Sequence, residues 1–94
     1  MAFEWDESKC EANIQKHDVD FVLAAKIFDG RTVEALDTRR DYGEPRIGAY
    51  GVAEEIVLFV IYTWRGNRRR LISARKAGAY ERLAYYAQTS GPDR

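Results

Sequence analysis

Apolar residues along this chain recur with two different periods, and the switches between them predict helix, then sheet, then helix again. Phe3-Glu4-Trp5 alternates and runs into Asp6, a good helix N-cap, so a short first strand should feed a helix. From Glu7 to about His17, the residues Cys10, Ile14 and His17 fall at i, i+4 and i+7. Acids come early and Lys16 and His17 late, which matches the helix dipole. Asp20 can cap a second helix in which Phe21, Ala24, Ala25 and Phe28 share a stripe, and Asp29-Gly30 stops it. The period then falls to two. Thr32 to Leu36 alternates, Asp37 to Glu44 is a polar loop, and Arg46 to Val52 reads as a strand weakened by its two glycines. Ala53-Glu54-Glu55 turns into Ile56–Trp64, which is apolar on both faces for most of its length and marks a central strand. Arg65-Gly66-Asn67 is a tight turn, and residues 67–75 are the partner strand. From about Ala79 to Gln88, Tyr80, Leu83, Ala84 and Ala87 repeat as a helix packed on the sheet, and Ser90–Arg94 is a tail. The order is β-α-α-β-β-β-β-α, an α+β class with no linker or repeat: one domain over 1–89 and a tail over 90–94.

Composition supports a folded globule: 94 residues, 46% hydrophobic, two prolines. The formal net charge of zero argues on its face against nucleic acid, but the distribution argues for it. Residues 1–44 carry 11 acids and 6 bases (6 − 11 = −5), and residues 45–94 carry 4 acids and 9 bases (9 − 4 = +5). The segment from Arg65 to Lys76 holds six of those cations and no acid, interleaved with Leu71, Ile72 and Ala74. Guanidinium groups displayed on a sheet suit phosphate, because the local field decides what docks. A single cysteine, Cys10, excludes an internal disulfide and reads as a small buried hydrophobe. With one histidine beside it, the usual metal-ligand spacings are absent, and no cofactor is expected. The N-terminus lacks a basic and apolar leader pattern, and the longest apolar run, nine residues from Ile56, is too short to span a bilayer. A cytoplasmic protein without membrane contact is expected.

Several stretches in order resemble the BrnT family, the toxin half of a bacterial type II toxin–antitoxin pair. They are Phe3-Glu4-Trp5-Asp6, Lys9 with Asn13, Lys16-His17 before Val19, and Phe21 with Ala24, Ala25 and Phe28-Asp29. Further on come Asp41-Tyr42-Gly43-Glu44 with Arg46, Tyr62-Thr63 with Arg65-Gly66, Arg70-Leu71-Ile72-Ser73-Ala74-Arg75-Lys76-Ala77, and Glu81-Arg82. The resemblance implies a RelE-like fold, a small and mainly antiparallel sheet with two N-terminal helices and one C-terminal helix packed on it. It implies a ribonuclease that blocks translation and is neutralised by a cognate BrnA-like, ribbon–helix–helix antitoxin, through which alone the complex touches operator DNA. Three positions depart from the family pattern: Asp18 and Gly78 where glycine and threonine are usual, and Arg69 where an aliphatic residue is.

RNA can be cut without metal when its own 2′-hydroxyl attacks the neighbouring phosphorus. Arginine suits the accumulating charge, because its fork meets two phosphate oxygens at once. Arg46, Arg70 and Arg75 are the candidates for phosphate clamping, and Glu44, two residues from Arg46, is the candidate general base or else a loop ion pair with that arginine. Lys9, Arg65, Arg68, Arg69, Ser73 and Lys76 are the candidate RNA contacts. His17 has a suitable ordinary pKa for moving protons but also reads simply as a cation at a helix C-terminus. Tyr42 or Tyr62 can stack a base. Trp64 and Tyr86 are candidate anchors for an antitoxin segment laid across the sheet or the basic cleft. Strict alternation poses a difficulty: it puts Arg70 on one face and Arg75 on the other. A bulge, an early end to the strand, or a purely structural role for one arginine would each resolve it. A catalytically silent RNA- or partner-binding module of the same fold is the alternative function.

Overall fold

The computed structural model describes residues 2–90, so the expected tail lies outside the described residues from position 91 onward. The elements follow the order read from the periodicities: β1 (Phe3–Glu4), α1 (Glu7–His17), α2 (Phe21–Ala25), β2 (Val33–Leu36), β3 (Ile47–Ala53), β4 (Ile56–Arg65), β5 (Arg68–Lys76) and α3 (Ala79–Thr89). The strands form one sheet in the order β1-β5-β4-β3-β2, with β1 parallel to β5 and every other neighbouring pair antiparallel. The fold is α+β, as the sequence pattern predicts. No helix among the described residues is long and apolar enough to cross a membrane.

Both helix caps work locally. Asp6 accepts from the backbone N–H of Ser8 at 2.9 Å, and Asp20 accepts from that of Val22 at 2.9 Å. α1 ends on Asp18 in the left-handed conformation (φ 58°), whose N–H donates to the Ile14 carbonyl at 2.8 Å. The second helix is shorter than its apolar stripe suggests, because Lys26–Asp29 tightens into a 3₁₀ turn. That turn brings Ile27, fully buried, against β3 at Gly51, where a Cβ would fall 2.8 Å from the Ile27 Cβ. Glycine at position 51 is therefore the condition for this close approach.

The main core lies between the sheet and the N-terminal helices. Phe21, Ala24 and Ile27 pack there on Leu58, Val60, Tyr62, Leu71 and Ala74. β4 is buried on both faces from Val57 to Thr63 apart from Phe59, which is partly covered, as expected of a central strand. A smaller cluster on the opposite face joins Val57, Ala77 and Tyr85 to Val33, Tyr50 and Val52 under α3. Here the packed side of the last helix departs from the expected stripe. Tyr80 is 88% exposed and Leu83 67%, while Tyr85 is buried. Glu81 and Tyr85, four residues apart, set the helix phase, since Glu81 is tied to the sheet and the Tyr85 hydroxyl donates to the Arg31 carbonyl at 2.7 Å.

Two features of β5 matter for function. Its pairing with β4 runs Arg75 opposite Phe59, Ala74 opposite Val60 and Ser73 opposite Ile61, then steps to Leu71 opposite Tyr62 and Arg70 opposite Thr63. Ile72 is the extra residue of a β-bulge. Beyond the short reach of β1, the outer edge of β5 is closed by a side chain. The Asn13 amide nitrogen donates to the Ala74 carbonyl at 2.9 Å and to the Val19 carbonyl at 2.8 Å, while its oxygen accepts from the Ala74 N–H at 3.1 Å. One carboxamide thus stands in for a neighbouring strand and fixes α1 against β5.

Candidate functional site

The bulge answers the alternation problem. Counting through the extra residue, Arg70, Ser73 and Arg75 lie opposite Thr63, Ile61 and Phe59, which are alternate residues of β4 and share one face. That face is the one α3 covers only at its far end. Phe59 and Thr63 are four residues apart, so Arg70 and Arg75 stand about 13 Å from each other along the strand. They cannot grip one phosphate together from these positions.

Arg75 is the more elaborately held of the two. Its Nη1 and Nη2 donate to the two carboxylate oxygens of Glu81, at 2.8 Å each, and its guanidinium lies 4.8 Å from the centre of the Phe59 ring. Glu81 also accepts from the Tyr50 hydroxyl and, at 2.7 Å, from the Gly78 N–H at the start of α3. Arg75 first, then Tyr50 and Gly78, hold the Glu81 carboxyl well below the usual carboxylate range. The hydrogen bonds that Arg75 donates to Glu81 keep its own guanidinium more firmly charged. Burial, followed by the neighbouring Glu81, pushes the Tyr50 phenol up. The arrangement is a charged fork fixed in direction. Gly78 has no side chain to cap the helix, yet Glu81 still makes its half of a capping box.

Beside Arg75 the open face forms two adjoining hollows. The smaller, about 220 Å³, is lined by His17, Arg39, Ser73, Arg75, Phe59 and Ile61. The larger, about 410 Å³, has Val33, Ala35, Gly48 and Tyr50 among its walls, and it shares Arg39, Phe59 and Arg75 with the first. Arg39 is oriented much as Arg75 is. Its Nε and Nη2 donate to the two oxygens of Asp37 at 2.8 Å each, and Asp37 also accepts from the Tyr42 hydroxyl at 3.1 Å. Those bonds, Arg39 foremost, hold the Asp37 carboxyl well below its ordinary range. On the other side of Ser73, a shallow hollow of about 230 Å³ is bordered by Lys9, Lys16, His17 and Ile72. His17, the last residue of α1, borders both this shelf and the smaller hollow.

The predicted site residues separate into groups. Arg75, Ser73 and Lys9 meet around His17. Arg70 shares their face but is displaced along the strand and paired with Glu4 at 2.8 Å. Glu44 lies elsewhere, bound to Arg65 at 3.3 Å and near Arg46 at 3.8 Å, and the Arg46 guanidinium stacks 4.1 Å from the Tyr42 ring centre. Glu44 and Arg46 line a different hollow from Arg75, so the structure places the expected base away from the oriented arginine. Arg68 is exposed beside the Gly66-Asn67 turn. Lys76 points toward Asp18, 3.8 Å away. Arg69 is on the opposite side of the sheet, where its guanidinium lies 4.1 Å from Phe28, 4.6 Å from Trp64 and 5.2 Å from Tyr62. That aromatic cage accounts for the departure at position 69 and takes Arg69 out of the basic face. Tyr62 lies in the same core cluster, with its hydroxyl on Glu34, and offers no face for a base. Sequence reasoning missed Arg39, Tyr50 and Phe59 as site residues and noted Glu81 only among the stretches that carry the family resemblance. The Gly78-x-x-Glu81 spacing was the one available signal, whereas Arg39 sits in a polar loop without any.

The family described as "Ribonuclease toxin, BrnT, of type II toxin-antitoxin system" matches residues 5–81. Among solved structures, the chain is similar to the ribonuclease toxin BrnT of Brucella abortus, with 30% identity and a TM-score of 0.64. The match covers 83% of this chain and 97% of that one. No curated protein matches the sequence.

Proposed function

Because the chain belongs to the BrnT family of ribonuclease toxins of type II toxin–antitoxin systems, and so has an antitoxin as its partner, we propose that it cuts RNA on the open face of its sheet without metal, with Arg75 and His17 at the centre. The observation that carries this reading is the bulge at Ile72, which delivers Arg75 and Ser73 into the hollow that His17 borders. The single-stranded backbone crosses β5, steered by Lys9 and Lys16 on the shelf, and a phosphodiester settles between Ser73 and Arg75. His17 takes the proton of the 2′-hydroxyl as that oxygen bonds to phosphorus. The bond from phosphorus to the 5′-oxygen breaks, that oxygen takes a proton from water, and a 2′,3′-cyclic phosphate remains. Arg75 stabilises the charge that builds on the phosphorane oxygens. Glu81 and Tyr50 are positioning residues, since they act only through Arg75. Loss of intact message blocks translation, and a BrnA-like ribbon–helix–helix antitoxin silences the toxin by covering this face, bringing operator DNA to the complex by itself.

Incubating end-labelled RNA with the purified protein in EDTA tests the chemistry. Fragments ending in cyclic phosphate are expected, and Arg75→Ala should lower the rate by about 10²–10³-fold, the scale for losing one transition-state donor. Glu44→Gln should cost less than His17→Ala. Cleavage that stops in EDTA and returns with a divalent ion would overturn the reading. A second reading is a module that holds RNA without cutting it. The pairing of Arg70 with Glu4 and of Arg75 with Glu81 favours it, because each cation already has a carboxylate. RNA bound at micromolar protein and left intact would establish that alternative.

A further inference from the structure

The two adjoining hollows differ in character in a way that matches the two ends of a nucleotide. The smaller is bounded by His17, Arg39, Ser73 and Arg75, which suits a phosphate. The larger has an apolar floor of Val33, Ala35 and Gly48 against the Phe59 ring. Gly48 makes that floor possible, since a Cβ there would fall 2.6 Å from the Phe59 ring edge. The ring edge reaches over Gly48, and a space of about 410 Å³ lies beside it. We propose that this hollow is a nucleobase subsite and that Arg39 reads guanine in it. The assignment rests on the ribonuclease reading for the identity of the ligand, and it adds the base that lies next to the broken link.

The choice of base follows from which N–H groups of Arg39 remain free. Its Nε and Nη2 are aligned on the two oxygens of Asp37. That pairing uses one edge of the guanidinium and leaves the edge formed by Nη1 and Nη2, with one outward N–H on each. Two parallel donors match the O6 and N7 acceptors of guanine. Adenine offers N7 beside an amino donor, and cytosine offers an amino donor, so each sets hydrogen against hydrogen. Uracil presents one carbonyl and fills less of the space. The bidentate pairing favours one direction of the fork, because the Asp37 carboxylate is itself held by the Arg39 backbone N–H at 3.2 Å and by Tyr42, while the Arg39 side chain, 70% exposed, stays open to a ligand. Unstacked bases of single-stranded RNA are commonly taken against an aromatic ring, and the Phe59 ring borders this hollow.

The test maps cleavage by the full chain on an RNA containing every dinucleotide step, alongside Arg39→Ala and Arg39→Lys. Cleavage next to guanine should exceed cleavage next to other bases by roughly 5- to 150-fold, the range for one bidentate arginine–guanine contact. Both variants should still cut, more slowly, Arg39→Ala with that preference lost and Arg39→Lys with part of it kept, because one ammonium can still meet O6 and N7. A guanine preference that survives undiminished in Arg39→Ala would overturn the base-reading role, as would wild-type cleavage indifferent to sequence. A binding arm separates this proposal from the nuclease reading. 3′-Guanosine monophosphate should shift the Gly48 amide resonance of the wild-type protein, and 3′-cytidine monophosphate should not. If RNA stays intact but this difference appears and vanishes in Arg39→Ala, the subsite stands and the nuclease reading fails. If RNA is cut and the two nucleotides behave alike, the subsite fails alone.

Discussion

Replacing Glu81 by glutamine would separate the orientation of Arg75 from its presence. The carboxylate receives both arms of Arg75 at 2.8 Å, the Tyr50 hydroxyl, and the Gly78 N–H at 2.7 Å. Glutamine keeps one acceptor oxygen, loses the charge, and turns an amide toward donors that want acceptors. Charge-assisted hydrogen bonds contribute about 1.5–3 kcal/mol. Arg75 is 39% and Glu81 31% exposed on the side chain, so solvent screening lowers the ion-pair share. A net loss of about 1–2 kcal/mol at pH 7 is expected, and each 1 kcal/mol corresponds to roughly 4–8 °C in Tm for a chain of this size. The pH dependence is diagnostic. Glu81 ionises at lower pH in the folded protein than in the unfolded one, so its contribution is complete above the unfolded value near ~4.3 and fades as pH falls toward the folded value. Wild type and Glu81→Gln should therefore differ in urea midpoint at pH 7 and converge in acid. Cleavage should fall about 10- to 100-fold in kcat with a smaller change in KM, since a misplaced guanidinium weakens the transition state more than binding. A stability gap that holds constant into acid would refute the assignment of the charge, and unchanged kcat would refute the positioning role.

Other substitutions probe the frame around the site. The turn joining β3 to β4 puts Glu54 at φ 49° and Glu55 at φ 70°, so replacing the pair by Asn-Gly should raise stability by about 1–3 kcal/mol, measured by urea unfolding. Asn13→Ala leaves buried backbone groups of Ala74 and Val19 without partners and should cost about 2–4 kcal/mol, with faster amide exchange at Ala74 as the local signature. Arg69→Leu, on the side of the sheet away from the groove, should leave RNA cleavage within about twofold and alter the packing around Phe28, Tyr62 and Trp64, visible in tryptophan fluorescence.

What could be read in advance depended on how local its cause was. Asp6 and Asp20 cap their helices through bonds to residues two or three positions on, so they were visible as sequence signals. The two-sided burial of β4 followed from an apolar run that no single covered face requires. The phase of α3 was not visible. Tyr80, Leu83 and Tyr85 are all eligible for burial, and the choice rests on Glu81 meeting Tyr50 and on Tyr85 reaching the Arg31 carbonyl, both distant in the chain. The cation cluster on β5 was correctly placed on a strand, but a period of two could not sort its arginines once Ile72 broke the count. Arg39 escaped for a related reason. Its importance depends on Asp37 aiming it over β3, and nothing in a polar loop of that composition marks one arginine from the next.

The surplus residue in β5 leaves this strand slack for one deletion. Without Ile72 the ladder becomes regular: Leu71 stays opposite Tyr62 and Ser73 opposite Ile61, so Arg70 and Arg75 keep their face. Loss of Ala74 would close the same gap differently, moving Ile72 into the place of Ser73 and turning the Ser73 hydroxyl into the core opposite Val60. A single-codon deletion of Ile72 should therefore be far milder than one of Ala74, and conservative exchanges at Ile72, which is only partly covered, should pass unnoticed.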